Sequence, residues 1–557
     1  MKRIPILTAV IIACVCTLSC KHSGIGGLAI PKDALIVLHI NTPSLTSKLT
    51  WKEIQQTSWL QDMQKESRDS LTKKLLDNPE ASGIDIKSDM AYFMKKQGRG
   101  GYMAFEGKIK DASAFEAMLK SMHSSAVVKK DGDLNYIESG SSNIICWNSD
   151  HFYILNDMPM LGMNPFSRGS GSEQEAFNSD SLRKFTKDLI GLKSDDNIDH
   201  DDRFASLVKE DGDVHFWVNS DQYMGSMGGG VLSALKVGSL LQGNVGTFTL
   251  NFDNGKISIK SKQYFGEEMK KLMEKYKPRN VDAALLSRIP SQDVVGVMAA
   301  NMDPNTLREF LKASGMDGMA NAYLSELNYS VDELINATGG QFLFAVTDLT
   351  MKSVQVPSYN YMDTVPVMET RMEPDMNFLF ASSVHDRASF EKLMNIFKEK
   401  AGEQLIPGKV DYKINNEWFA LSNHTEFADK FMAGANNKMP FADKITGHPL
   451  GMYIDIQRIL KTHTGGLHNA ADSAVYDASV ALWQNVVMTG GEYSKGNVTS
   501  DISINFVDQS TNSLKQLNQY AEKIYQAQKK QRMRYEQANT ETMAPDSATT
   551  TTIAPSN

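Results

Sequence analysis

The chain has 557 residues, 41% of them hydrophobic and 22% charged, with a formal net charge of −8. That balance is globular and suits about three or four domains. An acidic chain excludes non-specific nucleic-acid binding, which needs a basic surface, and four cysteines exclude a disulfide framework as the source of stability.

The opening "MKRIPILTAVIIACVCTLSC" places Lys2 and Arg3 before an apolar run from Ile4 to Leu18. The run is shorter than the ~20 residues of a membrane-spanning helix and has the form of a secretory signal. Small Ser19 then precedes Cys20. This resembles a bacterial lipoprotein signal, cut between Ser19 and Cys20, with Cys20 acylated as the new N-terminus. The resemblance implies residues 1–19 as signal and 20–28 as a lipidated, glycine-rich tether. Several acyl chains hold a membrane firmly, each buried CH₂ contributing ~0.8 kcal/mol. Lys21 and His22 follow the cysteine where surface-exported lipoproteins carry acids, which points to the outer membrane, facing the periplasm. No later segment reaches ~18 apolar residues, so the mature chain is expected to lack a transmembrane span. Of the remaining cysteines, Cys146 in "NIICWN" reads as a small buried apolar residue rather than a nucleophile.

Segments then recur in order. "IPKDALIVLHIN" (30–41) returns as "IPSQDVVGVMAAN" (289–301), and "YMAFEGKIKDASAFEAMLKSM" (102–122) as "NFLFASSVHDRASFEKLMNIF" (377–397). The order predicts two tandem α+β units, 29–280 and 281–525, each an antiparallel sheet with helices. Asp111 and Asp386 stand where a helix N-cap belongs. Phe115, Met118, Leu119 and Met122, like Phe390, Leu393, Met394 and Phe397, follow helical spacing and predict one buried face each. Asp131-Gly132 and Asn254-Gly255 are hairpin turns. Offsets between the copies place insertions near 156–202 and 350–376. Their turn-forming residues predict loops. The second, with Tyr359, Tyr361, Met362, Met368, Met372 and Met376, reads either as a partner-binding element or as simple packing on its own domain, and an envelope protein is the partner expected for the chain as a whole. Residues 526–557 are expected to extend a helix into a disordered Thr/Ser/Pro tail.

No motif carries chemistry. "GSMGGG" (225–230) lacks the phosphate-loop pattern. "SDDNIDHDD" (194–202) starts like a calcium loop, but His200 stands where glycine is required and Ser206 where glutamate is. His463 and His468 have the wrong spacing for a zinc helix. No catalytic, cofactor-binding or metal residue is assigned, and no cofactor is expected. The six tryptophans read as core rather than sugar platforms. Asp546-Ser547-Ala548 and Asp363-Thr364-Val365 resemble Asp-Ser/Thr-apolar acceptors of O-glycosylation in Bacteroidota, at Ser547 and Thr364.

With the signal, "IPKDALIVLHIN", "SGIDIKSDMAYFM" and the Phe-Glu helix on view, the chain resembles a family of uncharacterised Bacteroidota lipoproteins, a domain of unknown function, over about residues 28–525. Such a family has no established catalytic or ligand residues. The resemblance implies location rather than chemistry. The function expected is a lipid-anchored cell-envelope module for binding or assembly, without enzymatic activity. The alternatives are an envelope hydrolase with no sequence-visible site and a surface glycan-binding lipoprotein.

Overall fold

A computed structural model describes residues 25–67, 70–122, 127–159, 175–220, 222, 236–358, 367–401, 410–462 and 470–542. Eighteen strands form one antiparallel sheet. The first half of the chain supplies β1 (Ile36–Ile40), β2 (Met90–Gln97), β3 (Gly100–Lys108), β4 (Lys129–Asp131), β5 (Leu134–Glu138), β6 (Asn143–Trp147), β7 (His151–Asp157), β8 (Val214–Asn219), β9 (Val245–Asp253) and β10 (Lys256–Tyr264). The second supplies β11 (Val294–Asn301), β12 (Thr338–Ser358), β13 (Val367–Val384), β14 (Asp411–Ile414), β15 (Trp418–Ser422), β16 (Leu450–Ile454), β17 (Trp483–Ser494) and β18 (Asn497–Phe506). The class is α+β, as the sequence predicts.

Pairing runs outward from a central seam between β10 and β18. On one side the order is β10-β9-β8-β1-β2-β3-β7-β6. On the other it is β18-β17-β16-β11-β12-β13-β15-β14. Position by position the two orders correspond. Among the described residues, the hairpin β4–β5 adds to the first side only, turning at Gly132 with φ +68°. Every residue of β10 pairs across the seam, Ile257 opposite Ile504 and Ile259 opposite Ile502, so the halves share one backbone ladder.

Alternation along each strand sends one set of side chains under the helices. Val37, Phe93, Ala104 and Trp217 form the first core, and Val297, Leu343, Ala345 and Leu379 the second. Helix Ala112–Met122 starts at Asp111, whose carboxylate accepts the Ser113 and Ala114 N–H groups at 2.9 and 3.0 Å. Asp386 accepts the Ser389 N–H at 3.0 Å at the start of helix Arg387–Ala401. Phe115, Met118 and Leu119 are buried, with Met122 packed against them. The equivalent second face is incomplete. Phe390 and Met394 are buried, Leu393 is half-buried and Phe397 is 42% exposed. Met122 packs against the cluster that includes Ile137 of the extra hairpin. Among the described residues, no such hairpin lies beside Phe397.

Three expectations need correction. The segment 350–376 is not a loop: β12 and β13 run through it as a long ribbon on either side of 359–366. The segment 156–202 contains helix Ser179–Ile190, capped by Asn178 and buried through Leu182, Thr186 and Leu189. The helical spacing of those three was readable; the glycine- and serine-rich stretch before it hid the signal. The C-terminal helix spans Ser513–Thr542, so helix continues through Ala538–Thr542, where a disordered tail is expected. No helix among the described residues is long and apolar enough to cross a membrane.

Candidate functional site: an apolar groove on the open sheet face

The sheet's second face carries the most distinctive surface. Because directly opposed residues share a face, the registers trace an unbroken apolar row. Phe380 opposes Phe344, which opposes Met298, which opposes Met452. The row continues through Met488, Ile502, Ile259 and Leu250. Near the seam, Leu517 and Tyr520 of the C-terminal helix pack over it. Beyond β17 it lies open, with Met298 47% and Phe344 42% exposed.

There the row becomes a groove of about 570 Å³, lined by carbon and sulfur. Met298, Phe344, Val346, Met376 and Met452 contribute to its floor and sides, and helix Ile456–Thr462 closes one flank through Ile459. Thr462 carries the one polar side chain in the lining, and its hydroxyl donates to the Arg458 carbonyl at 3.0 Å. The groove therefore offers an entering molecule dispersion and hydrophobic contact. Its lining side chains include no acid or base.

The ribbon extends this surface outward. A bulge between Thr347 and Thr350 puts Asp348 at φ +55°. Asp348 is held by Ser291 Oγ at 2.7 Å, Thr347 Oγ1 at 2.7 Å and Asn377 Nδ2 at 3.1 Å. The extra residue shifts the alternation, so Met351 stands on the same face as Phe344 and opposes Pro374. Met376, Met372 and Met368 continue that face at even spacing and are 38%, 41% and 57% exposed. Glu369, Arg371, Glu373 and Asp375 fill the other face, where Lys352 pairs with Asp375 at 3.2 Å. The ribbon is thus amphipathic, and its apolar side consists of flexible, polarisable thioethers suited to an adaptable contact.

The sequence-derived candidates lie elsewhere. Asp111 and Asp386 cap helices and do not line the groove. Ser19, Cys20, Thr364 and Ser547, with Tyr359, Tyr361, Met362, His463, His468 and "GSMGGG", fall outside the described residues. In the calcium-like stretch, Asp201 caps helix Asp202–Leu207 and pairs with Arg203. Among the described residues, no group of three His, Cys, Asp or Glu side chains could hold a metal. Trp51, Trp147 and Trp217 are buried and Trp59, Trp418 and Trp483 half-buried, so none offers a flat exposed platform. Cys146 is fully buried, and burial pushes its thiol up to about 12, which leaves it protonated and inert.

One perturbed group, His215, lies buried on the sheet of the first half. His39 on β1 meets His215 on β8, Nδ1 to Nδ1 at 3.1 Å, and His215 Nε2 lies 3.1 Å from the Glu210 carbonyl. His39 Nε2 sits 3.3 Å from Asp89 without hydrogen-bond alignment. Desolvation, then the neighbouring His39, lowers the His215 pKa. A lowered imidazole favours the neutral form, so its stabilising effect is present above the ordinary value of 6.5 and is lost as pH falls below it. Chemical denaturation at pH 7.5 and 5.0 is expected to show that loss, and His215→Gln to flatten it. An unchanged slope in the variant would assign the acid sensitivity elsewhere.

Residues 28–404 match the family described as a domain of unknown function, DUF4836. No curated protein matches the chain. Among solved structures, crystal forms I and III of TP0453 align over 47% of this chain and 88% and 90% of their own, at 12% and 11% identity. Their TM-scores of 0.23 and 0.24 are too low to carry an argument about fold or function.

Proposed function

The chain belongs to the family defined by the domain of unknown function DUF4836, and from this premise we propose that it is a lipid-anchored envelope protein of a Bacteroidota cell which binds an apolar ligand without acting on it. The groove between β11, β12, β13 and β16 carries the reading: about 570 Å³ of carbon- and sulfur-lined space within the size range of small-molecule sites. Its lining side chains include no acid or base, which favours binding over hydrolysis. The lack of an exposed tryptophan platform disfavours the glycan reading. A long acyl chain is the simplest ligand that asks for no polar partner. Purified protein is expected to bind a fluorescent fatty-acid analogue, and Met298→Asp with Phe344→Asp to abolish that binding.

The anchor is Cys20, and its distance from the folded body has a consequence. Ile25 is already 3% exposed and packs with Leu28 and Ile30 in the first core. Asn197 Nδ2 donates to the Leu28 carbonyl at 2.9 Å, and the Ile198 N–H to the Ile30 carbonyl at 2.9 Å. Ile25 lies five residues after Cys20, a span of at most ~18 Å. An acylated Cys20 therefore holds the body against the bilayer rather than on a long leash. The matching strand orders on either side of the seam support a duplicated origin for the units 29–280 and 281–525. Two such units, joined through β10 and β18, carry the apolar row across the seam, with six of its eight residues from the second unit and Ile259 and Leu250 from the first.

Fractionation with protease shaving of intact cells tests the anchoring. Wild type is expected to sediment with the outer membrane and resist shaving, and Cys20→Ala to become soluble. A Cys20→Ala protein that still sediments in full would remove the lipid anchor from the reading. Shaving of the wild type would move the protein to the cell surface.

A further inference from the structure

The C-terminal helix Ser513–Thr542 is fastened along one side. Glu522 accepts the Ser58 N–H at 2.9 Å, Tyr525 donates to Asp62 at 3.0 Å, and Lys529 pairs with Asp62. Nearer its start, Lys515 pairs with Glu53 at 2.7 Å. The lysines on this packed side thus have acidic partners.

A second side faces helix Ala470–Leu482 and is different. Between the two helices runs a trough of about 760 Å³. Its floor is small and apolar, with Ala470, Ala474 and Ala478 on one helix and Ala527 on the other. Side chains this short cannot fill the space between the helices. Lys523, Lys530 and Arg534 line the trough at helical spacing, on the same face. Among the described residues none of the three has a carboxylate within ion-pairing distance. The one acid in the lining is Asp477. Tyr535 and Met533, 65% and 46% exposed, stand at the same end of the helix as Arg534.

In a chain of net charge −8, unpaired cations beside an apolar floor are a local reversal of sign. They complement an anion attached to an apolar body. Lys530 and Arg534 are one turn apart and can share a single phosphate. Lys523 to Arg534 spans ~16 Å along the axis at ~1.5 Å per residue. That is close to one leaflet's share of a ~30 Å hydrocarbon core. We infer that this trough is a binding site for an anionic phospholipid, with the acyl chain on the alanine floor and the phosphate between Lys530 and Arg534. An acidic amphipathic helix would match the charge too, but the pair of cations at one end suits a single headgroup better than a row of side chains. The site owes nothing to Cys20 and would give the protein a second hold on a membrane surface.

The test uses the full chain carrying Cys20→Ala, so that no acyl anchor contributes. It is expected to co-sediment with vesicles of phosphatidylglycerol in phosphatidylcholine and not with phosphatidylcholine alone. Each cation near a charged surface contributes ~1 kcal/mol, so Lys530→Gln with Arg534→Gln should weaken binding about 30-fold at unchanged helical content. Ala474→Trp, which fills the floor and leaves the charge intact, should weaken it as well. Binding to both vesicle types alike, or retention by the glutamine variant, overturns the site. If Ala474→Trp binds like the parent, or if inorganic phosphate in solution displaces the vesicles, the cations are a bare anion site and the acyl trough is wrong.

Discussion

Met298→Asp combined with Phe344→Asp is expected to cost at least 100-fold in affinity for a fatty-acid analogue while leaving the fold in place. The two side chains oppose each other across β11 and β12 in the middle of the groove. An acyl chain there gains ~0.8 kcal/mol per buried CH₂. The variant removes those contacts for several methylenes and sets two carboxylates into the path, where desolvation of each charge opposes entry. A loss of ~3 kcal/mol is a hundredfold. The fold tolerates the change because both positions are already 47% and 42% exposed, and strand preference at such sites spans only ~1 kcal/mol. Val297→Asp, one residue away and 3% exposed, buries a charge in the second core and should unfold that half. The contrast between adjacent positions separates a binding surface from a structural one. Unchanged affinity in the double variant would sink the groove as the ligand site, whatever its shape.

The groove was half legible in the sequence. The methionines of the second insertion stood out as a contact surface, but the irregular look of the segment hid its strands. Pro357 and Pro374 lie within it, and proline in a run argues against a central strand. Both sit on the ribbon, in the arms that continue past β11 and β15, where a missing N–H breaks no wider ladder. The alternation Met368-Glu369, Met372-Glu373 and Met376-Asn377 was a period-two signal beneath that irregularity. What no reading of one segment could supply was the row itself. Phe380, Phe344, Met298 and Met452 come from four segments, and only the register makes them neighbours. The helix caps at Asp111 and Asp386 and the two glycine hairpins were readable because each depends on residues close in the chain. Phe397 misled for the complementary reason: its helical spacing was sound, but the cluster against which its counterpart Met122 packs includes Ile137 of a hairpin that, among the described residues, is found on one side of the sheet.

Glu106→Gln is expected to make the protein more stable at pH 9, by as much as ~5 kcal/mol, and to match wild type near pH 4. Glu106 lies on β3, fully buried, among Tyr102, Tyr153 and the residues that hold the start of the fold. One carboxyl oxygen accepts the Ala29 N–H at 3.0 Å, and the other has no partner. Burial raises its pKa to about 8, against a smaller opposing effect from the Ala29 bond. The folded state then holds a proton that the unfolded chain releases near 4.5. A group raised in this way supports folding below its unfolded value, and the support is lost as pH rises towards its folded value, at ~1.36 kcal/mol per pH unit. Glutamine keeps an acceptor for the Ala29 N–H and has nothing to titrate, so its stability profile should be flatter across that window. The loss has a place in the fold as well as a size. Ala29 belongs to the segment Ile25–Ile30, whose Ile25, Leu28 and Ile30 are buried, so ionising Glu106 sets a bare carboxylate against that segment. Proteolysis at increasing pH is therefore expected to open wild type first near residues 25–31, and Glu106→Gln to delay that cut. Equal stability profiles for the two proteins from pH 4 to 9 would mean that water or a rearranged neighbour already satisfies the carboxylate.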